Sequence, residues 1–586
     1  MAENPSLVPP LNASPTDSVE QQFDPCATTT DVPVDGSASS IASSSVCLED
    51  PKTYHHNLST LRLLIVHIGA ALTLFLATTD ATVVSTSLPT IASELQASPI
   101  QYTWVGVAYL LTQTAFQPLY GRVSDLVGRK NVLYSSIAIF ALGSALCGAA
   151  RSINWLIAAR ALAGIGGGGI VSAVWVITAE IVEFKQRATW SQALSVTWSC
   201  SAIAGPLLGG VFSGQLATGP VSWRWGFYIN LPICFVALVV LATSLRDIQL
   251  KQATDVSWRT LARRFDFIGL VLFMGGTSCI VIGFSFATEI GWGSPSILSL
   301  LIIGILVLLY GGYHEKHTSK ECLFPLTTFN DLSTVVILII SFLHNFAFSA
   351  GTFYLALFYQ AATGSSPLES GIKILPYSLG SSLASMPAAW FIGYWQQRSH
   401  DTSAQNWVIS IGLLISTLGF GLLNLLDEKA DVVAQVVYPL IAGFGLGMLF
   451  HAPYQVFTRA LKPWELATGT SAFFLVRFTG ATMGLAVAGT IFYEGLSTRL
   501  PSDFVAQHHA FSLDYSGIKF LEPDLRAKVL HAVSSSVKMI WTVCSPCLGA
   551  AFLISWLLRK IPSSDSAEMM KSHEKPTHSS ADKETV

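Results

Sequence analysis

Between Leu61 and Leu558 the chain is one apolar run after another, each close to the length that crosses a lipid bilayer. A helix spanning the hydrocarbon core needs about 20 mainly apolar residues, and only a helix satisfies its own backbone hydrogen bonds there. On that measure the sequence predicts fourteen spans. The first six are Leu61–Ser87, Tyr102–Leu119, Val132–Ala150, Trp155–Thr178, Trp190–Gly214 and Trp225–Ser244. A pair follows at Phe267–Thr288 and Ser296–Tyr313. The last six are Leu332–Gln360, Gly371–Trp395, Trp407–Leu426, Val432–Thr458, Ala467–Tyr493 and Val537–Leu558. Charged residues make up 12% of the chain and hydrophobic ones 51%. That is half the charge of a soluble domain, about 25%, so the apolar surface has to face lipid. An even number of crossings puts both tails on one side. Fifteen Lys and Arg fall in the loops of that side, and four in the short loops opposite. Loops rich in Lys and Arg stay in the cytoplasm. The last outer loop also carries Arg499, Lys519, Arg526 and Lys528, but long loops weigh little in topology.

The expected organisation is a disordered cytoplasmic tail at 1–60, a six-helix half at 61–245, a linker with an inserted helix pair at 246–313, a second six-helix half at 314–558 containing an outer loop at 494–536, and a disordered tail at 559–586. The first tail is rich in Ser, Thr, Pro and Asp and lacks the apolar core of a signal peptide. A net charge of −3 supplies no basic field for nucleic acid. The nine cysteines follow no framework of spacings, and Cys544 with Cys547 lies on an apolar stretch without a second ligand pair. The pairs His55–His56 and His508–His509 also lack further ligands at useful spacing, so an integral membrane enzyme or metal centre is not expected. No phosphate-binding Gly-x-x-x-x-Gly-Lys-Ser/Thr loop is present. Energy must then come from an ion gradient or an associated subunit.

Several polar residues sit where the bilayer makes them costly. Asp80 lies in the first span, where a carboxylate costs about 2.5–3.5 kcal/mol on insertion scales, so it is expected to face a cavity and to bind and release protons. Arg160 in the fourth span stays charged and needs a carboxylate, water or carbonyl partner. Gly164, Gly166 and Gly169 spell G-x-G-x-x-G, but no strand precedes them; small residues in a membrane helix favour close packing over a nucleotide site. In the fifth span Pro206 interrupts the hydrogen-bond ladder, between Gly205 and the pair Gly209–Gly210. The loop Gly121-Arg122-Val123-Ser124-Asp125-Leu126-Val127-Gly128-Arg129-Lys130 is a tight, charged cytoplasmic turn.

That loop resembles the G-x-x-x-D-x-x-G-R-K signature of the major facilitator superfamily, matched at Gly121, Asp125, Gly128, Arg129 and Lys130. The resemblance implies a conformational latch holding two halves together when they face outward. Glu180 and Arg187 resemble its acidic and basic partners, with Glu183 competing for the first role. Thr79-Asp80-Ala81-Thr82 through Pro89 is similar to the first-helix motif of the fourteen-spanner drug:proton antiporters, with Thr79 and Ser85 as departures. Arg160 and Gly164 fit the family's L-x-x-x-R-x-x-x-G, whose arginine is associated with proton coupling. Gly205, Pro206, Gly209 and Gly210 resemble the G-P-x-x-G-G antiporter motif that exporters carry. Trp223-Arg224-Trp225 through Asn230 and Pro232 matches W-R-W-x-F-x-I-N-x-P of the same branch. Trp104, Tyr109, Asn230, Tyr359, Gln360, Gln455 and Arg477 fall on family landmarks and are the candidates for a substrate cavity.

The resemblance spans Leu61 to Leu558. It implies an all-α integral membrane fold of the major facilitator type, with two six-helix halves plus an inserted pair. The expected function is proton-coupled export of small hydrophobic organic molecules such as toxins, secondary metabolites or drugs. The alternative is proton-coupled uptake, or vacuolar transport, of a nutrient, amino acid or siderophore. No cofactor beyond the proton gradient is expected. The partners are substrate, protons and the bilayer, the chain is expected to be a monomer, and the expected site is the plasma membrane, with the vacuolar membrane as the alternative.

Overall fold

A computed structural model describes residues 59–182, 187–213, 222–246, 248, 250, 259, 263, 265–318, 320, 331–399, 401–461, 465–500 and 522–561. The tails 1–58 and 562–586 and most of the 246–264 linker lie outside the described residues. The first half comprises α1 (Thr60–Glu94), α2 (Pro99–Val127), α3 (Arg129–Gly148), α4 (Ile153–Ile181), α5 (Arg187–Ser213), α6 (Trp225–Tyr228) and α7 (Asn230–Ser244). The inserted pair is α8 (Phe267–Ile290) and α9 (Pro295–His317). The second half begins with α10 (Leu332–Leu357), which ends in a π-turn (Phe358–Ala362), and α11 (Pro367–Lys373). It continues with α12 (Leu375–Ser399), α13 (Ser403–Leu423), α14 (Val432–Met448), α15 (Ala452–Arg459), α16 (Leu466–Arg499) and α17 (Pro523–Ser555).

Several helices start where a side-chain oxygen takes up a free backbone N–H. Ser59, Ser152, Asp266 and Asp431 do so singly. Ser98 with Gln101 and Ser366 with Glu369 form reciprocal capping boxes, each with a proline opening the helix. Arg62 Nε donates to Ser244 O at 3.1 Å, tying the start of α1 to the end of α7. Thr402 N donates to Ile561 O at 3.1 Å, which brings the end of the described chain to the α12–α13 turn.

Among the described residues, twelve helices are long and apolar enough to cross a membrane. The expected spans two and ten, α2 and α12, have 29 and 25 residues but are too polar to qualify. Their hydroxyls serve the junction of the halves: Thr114 Oγ1 meets Thr482 Oγ1 at 3.3 Å, and Ser382 Oγ donates to Ser199 O at 3.0 Å. Three expected boundaries also change. The sixth span breaks at Ile229 into α6 and α7, and the twelfth breaks between Met448 and Ala452. The outer loop expected at 494–536 is much shorter, because α16 runs on to Arg499 and α17 begins at Pro523. Both helices project beyond their apolar cores, so hydropathy alone truncates them.

Within the first half α3 and α2 pack on α4, and α1 packs on α5. The second half repeats the plan with α12 and α13 on α14 and α10 on α16. The halves meet chiefly where α2 lies against α16 and α5 against α11 and α12. Of the inserted pair, α8 packs on α9, α2 and α16, and Thr490 Oγ1 donates to Phe284 O at 2.6 Å. The outer helix α9 turns Ile302, Leu306 and Leu309 outward, as lipid contact demands.

The G-x-G-x-x-G stretch of α4 is packing surface. A Cβ on Gly164 would meet Tyr109 O at 2.2 Å, one on Gly166 Phe140 N at 2.3 Å, and one on Gly169 Ser136 Oγ at 2.1 Å. The helices therefore approach backbone to backbone. Gly166→Val should force α4 from α3, and overpacking of this kind costs about 1–3 kcal/mol or more. The expected result is a lowered melting temperature and poor yield of detergent-solubilised protein, and a native melting curve would contradict the packing described.

Candidate functional site

The sequence-predicted acid and base of the first half form one buried ion pair. Arg160 Nη1 donates to Asp80 Oδ2, and the two side chains are 1% and 0% exposed. Arg160 Nε also donates to Val105 O at 3.3 Å, and its guanidinium lies over the Tyr109 ring, 4.3 Å from the centroid. The other carboxylate oxygen, Asp80 Oδ1, accepts from Asn230 Nδ2 at 3.0 Å, and that amide donates also to Ser144 Oγ at 3.1 Å. Tyr109 is fixed in turn by its hydroxyl donating to Ala77 O at 2.8 Å. A buried pair is tolerable only when the remaining lone pairs and protons are satisfied. Here α1, α2, α3, α4 and α7 each contribute. Tyr109 and Asn230, expected at a substrate cavity, are instead supports of this pair.

The loop signature builds the turn from α2 to α3. Gly128 has φ +94°, a conformation L side chains rarely adopt. Arg129 Nε donates to Glu180 Oε1 at 2.9 Å, and its Nη1 bonds Ser124 Oγ and, at 3.4 Å, Gly121 O. Lys130 Nζ donates to Arg246 O at 3.3 Å. These contacts join α2, α3 and α4 within the first half. The side chains of Asp125 and Arg187, and all of Glu183, lie outside the described residues. At the opposite face Glu94 accepts from Trp223 Nε1 at 2.6 Å and Arg224 Nη1 at 2.7 Å, while Arg224 Nη2 donates to Ala150 O at 3.0 Å. The W-R-W motif thus clips α1 to the α3–α4 turn.

The G-P-x-x-G-G motif lies at the outer junction of the halves. Cβ atoms on Gly205 and Gly209 would stand 2.0 Å from Thr82 Oγ1 and 2.2 Å from Val83 O, so α5 is appressed to α1. One on Gly210 would meet Pro367 O of α11 at 2.7 Å, and one on Gly371 would meet Pro206 O at 2.8 Å. Pro206 O accepts from Thr86 Oγ1 at 2.8 Å, and Gln360 Nε2 crosses from the second half to donate to Thr86 O at 2.9 Å. Tyr359 belongs to the second half alone, its hydroxyl donating to Gln435 O at 2.9 Å.

Deeper in the junction the halves meet through aromatic rings. Trp175 of α4 packs on Tyr454 and Phe474, with centroids at 4.7 and 5.7 Å. Trp198 of α5 stacks on Phe474 and Phe478 at 6.3 Å each. Arg477, 3% exposed, lies over Trp198 at 4.5 Å. Gln455 donates to His451 Nε2 at 2.6 Å and accepts from Gln405 Nε2 at 3.2 Å, beside this cluster. Trp104 lies elsewhere, in an open apolar groove of about 340 Å³ between α2 and α4, lined also by Asn154, Ile157 and Ala161. Sequence reasoning did not single out Trp175, Trp198, His344 or His451. The available signal was position for three of them: Trp198, eight residues into its expected span, is no interfacial anchor, and His344 and His451 are costly within theirs, whereas Trp175 stands three residues from the end of its expected span and reads as an anchor.

Comparison with known proteins agrees with this architecture. The sequence model of the Major Facilitator Superfamily matches residues 70–314. An uncharacterised transporter of Schizosaccharomyces pombe is 32% identical over 517 residues, covering 88% of this chain and 84% of the relative. The chain belongs to the major facilitator superfamily. It is a multi-pass membrane transporter of that superfamily, similar also to the efflux pump dotC of Dothistroma septosporum, at 30% identity over 84% of this chain and 83% of the pump. In fold it is similar to a bacterial homologue of the human lysosomal transporter Spinster, solved in an inward-facing and occupied conformation. The TM-score is 0.56 at 15% identity, covering 86% of this chain and 97% of that one.

Two expectations follow from this geometry. Asp80→Asn strands a guanidinium that stays charged, whereas Arg160→Gln strands a carboxylate that is free to take a proton. Melting of the solubilised protein should therefore drop more for Asp80→Asn, by about 3–5 kcal/mol of stability, than for Arg160→Gln. The Asp80→Asn/Arg160→Gln double variant should melt above Asp80→Asn. Separately, Gly210→Val should keep the outer ends of α5 and α11 apart. A cysteine placed at Gln360 should then react faster with a membrane-impermeant maleimide than in the parent, and equal rates would count against the seam.

Proposed function

We propose that this chain is a proton-coupled antiporter that exports small hydrophobic organic molecules across the plasma membrane. The observation that carries the reading is the Asp80–Arg160 pair, a titratable carboxylate and a permanent cation held together in a dry site spanned by α1 and α4. Protonation of Asp80 at Oδ2 cancels the charge that balances Arg160. The guanidinium then keeps only neutral partners, the carbonyls of Val105 and Asp80 and the rings of Tyr109 and Phe227, and the α1–α4 contact weakens. Asp80 is buried, so proton exchange requires the packing around α1 to loosen, and α1 also carries Thr86, whose carbonyl accepts from Gln360 of the second half. A carrier that couples rocking of its halves to this one carboxylate converts a proton gradient into transport.

Export is supported by the glycine-rich outer seam at Gly205, Pro206, Gly209 and Gly210, and by similarity to efflux pump dotC and to the efflux pump FUS6 of Gibberella fujikuroi, at 28% identity. The aromatic and apolar walls between the halves suit hydrophobic organic substrates. Uptake or vacuolar transport on the same fold would run the same cycle in the opposite direction or in another membrane.

The test uses membrane vesicles or proteoliposomes with an imposed pH gradient and a fluorescent hydrophobic dye, compared at equal amounts of inserted protein. The parent should expel dye against its gradient only when the proton gradient is present. Asp80→Asn should lose the dependence on the pH gradient while still exchanging dye for dye. Native gradient-driven transport by Asp80→Asn would refute the coupling role, and accumulation in place of expulsion would refute the direction.

A further inference from the structure

We infer that Arg477 is the anchor of a binding seat for organic anions, and that the preferred substrates are planar aromatic or conjugated molecules carrying a carboxylate or an equivalent acidic group. The inference rests on the exporter reading only in taking the junction between the halves to open.

The two halves each bury one arginine at depth, and they treat it differently. Arg160 is neutralised by Asp80. Arg477 makes no ion pair among the described residues; its Nε donates to Asn345 Oδ1 at 3.1 Å and its Nη1 to Phe450 O at 3.3 Å. Nor does sequence supply a counter-ion elsewhere in reach. Within α10, α12, α13 and α14 there is no Asp or Glu, and in α16 and α17 the acids are confined to the ends, at Glu494 and Asp524. A buried cation without an anion is expensive, because neutral acceptors return only part of the lost hydration. A guanidinium also has five N–H donors arranged as a fork that fits a carboxylate with two parallel bonds.

The surroundings hold that fork in place without adding charge. Asn345 Nδ2 donates to His344 Nδ1 at 3.2 Å, and His344 Nε2 donates to Leu446 O at 3.1 Å, so this imidazole is the neutral tautomer. His451 Nε2 accepts from Gln455 and is neutral by the same logic. Arg477 is therefore the cationic centre of the cluster, and its orientation is fixed through Asn345 from behind.

The walls are flat. Trp198 and Phe474 lie 3° from parallel, and Trp175 closes the side. Trp175, whose ring packs on Tyr454 and Phe474, has its Nε1 buried without an acceptor among the described residues, a second donor that an anionic or carbonyl oxygen would satisfy. Trp175 and Trp198 belong to the first half, whereas Arg477, Phe474 and Tyr454 belong to the second. In the closed arrangement the rings fill the space over the guanidinium. Parting of the halves pulls Trp198 off Arg477 and opens a slot with an aromatic plane on one side and a charged fork on the other. A planar acid restores both contacts at once.

The test is equilibrium binding of tritiated 2-naphthoate to the solubilised full chain, competed by 2-naphthamide and by 2-naphthyltrimethylammonium. These three probes share one ring system and differ in charge. The unaltered protein should bind 2-naphthoate at least tenfold tighter than the amide, and the cation more weakly still. Arg477→Gln should abolish that preference, and Arg477→Lys should retain part of it. Equal affinity for naphthoate and naphthamide in the unaltered protein overturns the inference without need of any variant, as does an anion preference that survives in a folded Arg477→Gln. Anion-selective binding without gradient-driven transport would uphold the seat while refuting the exporter reading. Gradient-driven expulsion of a neutral dye with no anion preference would do the reverse.

Discussion

Charge inside a hydrocarbon layer has to be answered locally, and the answer to Arg160 organises the first half. Its partner Asp80 comes from another helix, and the ring beneath it, Tyr109, from a third. Asn230 and Ser144 complete the coordination of the carboxylate. Five helices are thereby registered against one another by a handful of atoms, with the glycines of α4 permitting the approach that brings these atoms within reach. Small residues and the ion pair are two parts of one device. Close backbone packing excludes water, and exclusion of water makes the pairing obligatory.

The second half repeats the helix plan but not the electrostatics. Its buried arginine is braced by an asparagine, a carbonyl and a tryptophan that belongs to the opposite half. A contact across the junction depends on how the halves stand, whereas a contact within a half moves as a unit. The first-half pair is thus an internal element, and the second-half arginine is exposed to every change in the junction. At the outer end the same junction is set by backbone, through Gly210 and Gly371 against the carbonyls of Pro367 and Pro206.

Much of this was legible in the chain. Long apolar runs give the helices, and isolated charges within them, Asp80, Arg160 and Arg477, mark the places where chemistry has to occur. What periodicity could not provide was partnership. The sequence leaves open whether Arg160 meets a carboxylate, a carbonyl or water, because the partners it finds, Val105 O and Asp80, lie 55 and 80 residues away along the chain. It places Asn230 and Tyr109 on family landmarks without saying that they serve the ion pair rather than the junction. Hydropathy also ends α16 and begins α17 too near the apolar core, since helix formation continues into polar sequence wherever side chains still pack. The polar faces of α2 and α12 have the same origin: they are turned toward each other's half, and a scale that assumes lipid on all sides undervalues them.

The added helices α8 and α9 have a further bearing on the outline of the molecule. By lying across α2 and α16, α8 covers one flank of the junction with protein. The opposite flank, α5 against α12, has no such cover among the described residues, and α12 presents Leu383, Met386 and Trp390 outward at 60, 56 and 70% exposure. Two flanks that the repeat of the halves would make equivalent therefore differ in what they touch. A greasy molecule diffusing within the leaflet meets the bare α5–α12 contact on one flank, and a wall of added protein on the other.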